Sequence, residues 1–360
     1  MSAPARRDAL AKLVEDEADF LAAPPILQPA DLYLDLAGEA IGSRLLLTSG
    51  ADGSDYCLRP EFTLAVCAEY LTSDLAGSAQ VIGYLGPVFR QRAAGPAEFE
   101  QAGLEFLGPV ADDPFERSLN FALDAAMIYG VDEPEVHLGS VEIFEALLAG
   151  LDMPEMWRPR IRARFGHDEA LDTLLDRLGA AEAGEGTSRY PAERDKLVAA
   201  ITSEMQTAGL SPISGREASE IADRYLEKRA LAAAPVQPET VELLKRYLGI
   251  AGEAQAQLEH LQRQAKRAGI DLDVEIGALA ARIGKIASET RTGTIRFDAS
   301  FAPPLDYYTG HVFELAAPST GAVIASGGRY DRLLERLGSQ KPIAAVGCAV
   351  WLDRLDEAAQ

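Results

Sequence analysis

The amino-acid order predicts an α+β protein: an antiparallel sheet flanked by helices, with a mostly helical region inserted. Two observations carry this. Strand patterns cluster in blocks, residues 45–108 and 294–328, instead of alternating one by one with helices. Between the blocks, residues 141–290 are rich in Ala, Leu, Glu and Arg and carry helical patterns. The expected organisation is a discontinuous core, 1–140 and 291–360, with a helical insertion over 141–290.

The elements follow in order. Leu10, Leu13, Val14, Phe20 and Leu21 recur at helical spacing, so a helix is expected over 8–21. Pro24 and Pro25 end it and open an extended stretch. Residues 45–60 read as a hairpin: LLLTSG, a Gly/Asp/Ser turn at 50–55, then YCLRP. A helix is expected from Thr63 to Asp74. Residues 80–108 read as two strands around an Ala/Gly/Pro loop at 93–97. In the second strand side chains alternate, so Gln101, Gly103 and Glu105 share one face and Ala102, Leu104 and Phe106 the other. The second set reads as the core face. The first reads as a polar face, with a glycine gap between two hydrogen-bonding side chains.

Phe115 to Tyr129 is amphipathic and helical, and EVHLG at 135–139 is a short strand. Breaks in the helical stretch are expected at Gly184–Gly186, Pro212–Gly215 and Pro235–Pro238. Strand signals resume at TIRFDAS (294–300) and run through YYTGHVFELA and AVIASGG, and WLDRLDEAA closes as a helix.

Composition bounds the function. The 360 residues are 48% hydrophobic and 25% charged, enough for a large core and a second domain. No run of about 18 apolar residues could span a bilayer. The first 20 residues turn acidic without an apolar stretch, so export is not expected and a cytoplasmic location is. Cys57, Cys67 and Cys348 have neither a disulfide framework nor CxxC spacing, and read as buried thiols. A net charge of −22 without a basic run argues against tRNA or other nucleic acid and suits docking with proteins. Dinucleotide, phosphate-loop and HExxH signatures are absent. His137, His167, His260 and His311 lie far apart, and none is given a catalytic role. No metal or cofactor is expected.

Five segments stand out: PPILQPADLY (24–33), LRPEFT (58–63), GPVFRQR (86–92) with FEQAGLEFLG (99–108), LDYYTGHVFE (305–314), and SGGRYDRLLERLG (326–338) with AVGCAVWLDRL (345–355). Together and in order they resemble the catalytic domain of histidyl-tRNA synthetases, a class II aminoacyl-tRNA-synthetase fold, over residues 1–140 and 290–357. LDYYTG and GGRYD are the most specific segments. A zwitterionic amino acid needs an acceptor for its ammonium and a donor for its carboxylate, and an imidazole needs a ring-edge acceptor and aromatic walls. The resemblance implies that Glu61 and Thr63 are the ammonium pair, that Gln101 and Glu105 are ligand-binding strand residues with Glu105 facing the imidazole, and that Tyr307 and Tyr308 are the aromatic pair. Arg90 matches the first arginine of the second class motif.

The departures matter as much. Pro303 and Pro304 stand where the synthetase has an Arg-Gly pair, and proline offers neither charge nor donor. Losing one such preorganised electrostatic group costs about 10²–10³ in rate. The ATP- and tRNA-holding loop reads AAGPAEF, with Ala97 for an arginine. Arg354 is kept, and Gly347 and Ala349 stay small, but Trp351 replaces a small residue that would leave room for adenine. The sequence ends six residues after Arg354, where the synthetase continues into an anticodon-binding domain.

An amino-acid pocket kept while nucleotide chemistry is lost resembles the regulatory subunit of ATP phosphoribosyltransferase. That resemblance implies a non-catalytic chain that activates a short catalytic subunit in the first step of histidine biosynthesis and mediates feedback by L-histidine. It also implies a homodimer, paired through the motif containing Pro25, within a hetero-oligomer. The inhibitory histidine could sit in the pocket or at the subunit interface. Two other readings stay open: a ligase that forms histidyl-adenylate for a non-tRNA acceptor, and a structural module without ligand response.

Overall fold

A computed structural model of the chain describes residues 2–93, 95–180, 193–208, 217–288 and 291–359. The chain forms two compact units. The larger comprises Met1–Gly150, Phe165–His167 and Tyr247–Gln360, and the smaller comprises Leu151–Arg164 and Asp168–Arg246.

The strands, in chain order, are β1 (Phe20–Leu21), β2 (Leu27–Pro29), β3 (Leu47–Ser49), β4 (Asp55–Leu58), β5 (Gln80–Phe89), β6 (Glu98–Leu107), β7 (Glu135–Ser140), β8 (Ala251–Glu253), β9 (Ile295–Asp298), β10 (His311–Ala316), β11 (Val323–Arg329) and β12 (Ala345–Trp351). Among the described residues, nine of them form one sheet in the order β1-β5-β6-β12-β11-β10-β7-β9-β8, and β2-β4-β3 form a second. The expected α+β class and the hairpin are present. The sheet is not purely antiparallel, because β1 pairs parallel with β5 and β7 with β9.

The first helix shows how local chemistry overrides periodicity. It spans Ala3–Glu17 and buries Leu10 and Val14, but it stops short of Phe20 and Leu21. Asp19 explains the stop: its backbone N–H donates to the Val81 carbonyl, and its carboxylate accepts from Val81 N. These two bonds hold the chain extended, so Phe20 and Leu21 join the sheet edge opposite Ile82 and Gly83. The helix Pro114–Tyr129 packs across β11 and β12. Asp113 caps its start, accepting from Phe115 N at 3.0 Å, and Gly130, at φ 80°, ends it.

β6 corrects the polar-face reading. Both of its faces are buried: Gln101 is 2% exposed and Glu105 0%, as deeply placed as Leu104 and Phe106. The gap at Gly103 is filled by Tyr84, its register partner on β5, whose hydroxyl donates to the Cys348 carbonyl at 3.1 Å.

The boundaries of the compact units differ from a single insertion over 141–290. Helices Val141–Gly150, Ala254–Arg267 and Asp273–Ser288 belong to the larger unit. Ala254–Arg267 packs on β8 and β9, and Asp273–Ser288 packs on Val141–Gly150. In the smaller unit, helices Arg194–Thr207 and Ala218–Ala232 pack through Leu197, Ile201 and Ala222 and are tied by Arg194 to Asp223. The break at Pro235–Pro238 separates Ala218–Ala232 from Pro238–Leu248. The breaks expected at Gly184–Gly186 and Pro212–Gly215 lie outside the described residues. Among the described residues no helix is long and apolar enough to cross a membrane.

Candidate ligand pocket

A cavity of about 240 Å³ opens in the larger unit over the middle of the main sheet. Glu61, Thr63, Arg90, Gln101, Tyr307 and Tyr308 all line it. Residues far apart in sequence therefore converge because β5, β6 and β12 are neighbours and the loop after β9 folds back over them.

Glu61 and Thr63 sit where the chain enters the helix Thr63–Thr72. The Glu61 carboxylate accepts from Leu64 N at 2.9 Å, satisfying one of the free N–H groups of the first turn. Burial raises the acid above the usual carboxylate range, with the Leu64 and Thr63 hydrogen bonds opposing.

Glu105 is not on the cavity surface. It lies behind it, with one oxygen accepting from Thr63 Oγ1 at 2.7 Å and the other from the Tyr330 hydroxyl. Burial pushes its carboxyl up to about 8 against the pull of those two bonds. Gly347 makes room for it: on β12, opposite Glu105 in register, an added Cβ would come within 1.7 Å of the carboxylate. Glu105 thus holds two lining residues, Thr63 and Tyr330, in place.

Gln101 lies between Gly86 and Trp351 in register, and its Oε1 has no hydrogen-bond partner. Arg90 follows β5 directly and stacks on Phe99, with 4.9 Å between guanidinium and ring centre. Burial lowers its pKa to about 10, so it stays charged at neutral pH. Tyr307 and Tyr308 are buried with ring centres 5.1 Å apart, and Tyr307 meets Tyr330 edge-on at 5.6 Å. Gly328 allows this, since a Cβ there would meet the Tyr308 ring at 3.0 Å.

The positions of the departures are also clear. Pro303, Pro304, Trp351 and Arg354 line the same cavity. The Arg354 guanidinium lies 4.5 Å from the Trp351 ring and donates to the Val323 carbonyl at 2.6 Å. Ala97 stands apart from the cavity and accepts from Arg90 N through its backbone.

Sequence reasoning missed Tyr330 and Glu314. Tyr330 stands inside the GGRYD segment, but its bond to Glu105 exists only once β6 and β12 are paired. Glu314, on β10, lines the cavity, and burial raises its carboxyl to about 7 with Arg354 opposing. Alternation along HVFELA gave the only signal for it. As a whole the cavity offers acceptors, the guanidiniums of Arg44, Arg90 and Arg354, and aromatic walls, a set that suits a small zwitterion with a ring.

The family model for histidyl-tRNA synthetase matches residues 7–189 and 195–355. An ATP phosphoribosyltransferase regulatory subunit from Mesorhizobium japonicum is 40% identical over 342 residues, covering 92% of this chain and 91% of its own. One from Agrobacterium fabrum is 39% identical over 345 residues, covering 92% and 90%. The chain belongs to the ATP phosphoribosyltransferase regulatory subunit family. Solved structures agree on the fold of that family. A Bacillus halodurans protein described as ATP phosphoribosyltransferase regulatory subunit/histidyl-tRNA synthetase has a TM-score of 0.65 at 20% identity, covering 99% of this chain and 79% of its own. A histidine–tRNA ligase subunit from Alicyclobacillus acidocaldarius has a TM-score of 0.58 at 23% identity, covering 99% and 93%. In this regulatory-subunit family member, the class II synthetase-like sheet carries the cavity.

Proposed function

We propose that this chain is the regulatory subunit of an ATP phosphoribosyltransferase. In this reading it binds a short catalytic subunit, activates it in the first step of histidine biosynthesis, and passes on feedback by L-histidine. The names of its relatives support the partner, and the cavity supports the effector. The observation that carries the reading is the convergence of Glu61, Thr63, Arg90, Gln101, Tyr307 and Tyr308 on one cavity beside Pro303 and Trp351.

Each group then has a task. Glu61 and Thr63 take the ammonium, Arg90 takes the carboxylate, and Tyr307 and Tyr308 flank the imidazole. Glu105 acts from behind, fixing Thr63 and Tyr330. Pro303 supplies no charge at a reacting phosphate, so the chain makes no aminoacyl-tRNA and the partner performs the chemistry. Histidine acts by binding one state of the complex more tightly than the other.

A homodimer within the hetero-oligomer fits the surface. Phe20, Leu21, Ile26, Leu27, Leu34 and Leu47 are all exposed and fall within one stretch of the chain. In this reading the working location is the cytoplasm.

The test is to mix the chain with a short-form catalytic subunit and follow phosphoribosyl-ATP formation with and without L-histidine. The reading requires faster turnover with the chain and a histidine-dependent loss of that rate. No activation and no histidine effect would refute it. Histidine-dependent exchange between pyrophosphate and ATP by the chain alone would favour the ligase instead.

A further inference from the structure

The cavity wall formed by residues 302–308 is held from outside by a three-residue strap, Phe165–His167. The strap belongs to the larger unit, although the chain on both sides of it, Leu151–Arg164 and Asp168–Arg246, belongs to the smaller one. Three contacts fix it. Phe165 stacks on Phe144 with ring centres 4.2 Å apart. Gly166 adopts φ +81°, and an added Cβ would come within 3.0 Å of the Ala302 carbonyl oxygen. His167 Nε2 lies 3.1 Å from Asp306 Oδ1, and because an ionised carboxylate only accepts, that ring nitrogen carries the proton.

The Gly166 and His167 contacts bracket the cavity wall. Ala302 precedes Pro303, Pro304 and Leu305, which line the cavity, and Asp306 precedes Tyr307 and Tyr308, which also line it. The Asp306 carboxyl also lies close against Gly38, where a Cβ would come within 2.8 Å of the carboxyl carbon. Gly38 leads into the short helix Glu39–Gly42, whose Ile41 forms part of the cavity lining. Asp306 is therefore a pin between the strap and another part of the wall.

We propose that the Phe165–His167 strap positions the wall of the cavity and carries its occupancy into the chain on either side. His167 is the positioning residue and acts through Asp306. The inference rests on reading the cavity as an amino-acid pocket. Closing Tyr307 and Tyr308 on a ligand pulls Asp306, and Asp306 pulls His167. The strap is covalently continuous with residues 151–164 and 168–180, so those segments feel the shift. By reciprocity, whatever restrains them changes ligand affinity.

Hydrogen exchange on the full chain tests this, with L-histidine as probe and the wild type, His167→Ala and His167→Gln compared. Gln keeps an N–H donor for Asp306 and serves as the rescue. In the wild type, histidine slows exchange at 302–308 and also at 151–164 and 168–180. In His167→Ala at saturating histidine, 302–308 still slows, the flanking segments do not, and the Kd for histidine rises about three- to five-fold, the scale of one partly exposed ion pair. His167→Gln restores the flanking response. The proposal is overturned if the flanking segments respond equally in His167→Ala, or stay silent in the wild type while 302–308 responds. If histidine slows exchange nowhere, the amino-acid reading fails and this inference falls with it.

Discussion

Thr63 Oγ1 donates to Glu105 Oε1 at 2.7 Å, and both residues are buried. A carboxyl in that setting prefers its proton, because desolvation outweighs the two hydrogen bonds it receives. Its value of about 8 lies above the ordinary 4.5. The folded chain therefore holds a proton that the unfolded chain releases. Unfolding free energy falls as pH rises between those two values, and the contribution is fully present only below the lower one. Glu105→Gln removes this slope. Urea denaturation from pH 5 to 9 should show the wild type losing stability relative to Glu105→Gln across that window. Parallel curves would rule out a raised Glu105.

A Cβ added at Gly347 would come within 1.7 Å of that carboxylate and 2.9 Å of the Tyr330 hydroxyl. The carboxylate is buried and held by Thr63 and Tyr330, so it moves aside only by giving up those bonds. Gly347→Ala should cost about 1–3 kcal/mol by overpacking. Urea midpoints measure this, and an unchanged midpoint would mean that β6 and β12 are not paired in this register.

Tyr330 donates to the second oxygen of Glu105. Tyr330→Phe keeps the ring against Tyr307 and leaves the acceptor without its donor, a loss of about 1–3 kcal/mol. Under the proposed pocket it should also weaken L-histidine binding in a calorimetric titration, because Tyr330 lines the cavity. A stability loss with histidine affinity unchanged would separate the structural role from the binding one.

Much of this was legible in the sequence, for physical reasons that can be named. Two blocks of period-two alternation announced the sheet, and the amphipathic run from Phe115 to Tyr129 announced its main covering helix. β1 was hidden because Phe20 and Leu21 continue the apolar stripe of the first helix. What ends that helix is Asp19 gripping Val81, a contact 62 residues away. β12 was also missed as a strand. AVGCAVW is mostly buried, so it shows no polar alternation.

The candidate site divides the same way. Six of the seven residues were brought to one cavity by matching short motifs. The part of Glu105 was not readable, because alternation says which face a side chain takes and not whether that face meets solvent. Tyr330 and Glu314 needed the strand order itself. The helices Ala254–Arg267 and Asp273–Ser288 are plain in the sequence as helices, but periodicity does not say which compact unit a helix covers.

The central claim is that L-histidine controls the partner through this cavity. The direct measurement is histidine inhibition of phosphoribosyl-ATP formation by the reconstituted complex, comparing the wild-type chain with Glu61→Gln and Arg90→Ala. The account predicts that half-inhibition needs about ten-fold more histidine or greater in each variant, the loss of one charged contact to a zwitterion. Half-inhibition at the wild-type concentration in both variants would contradict it and move the effector to another surface of the complex.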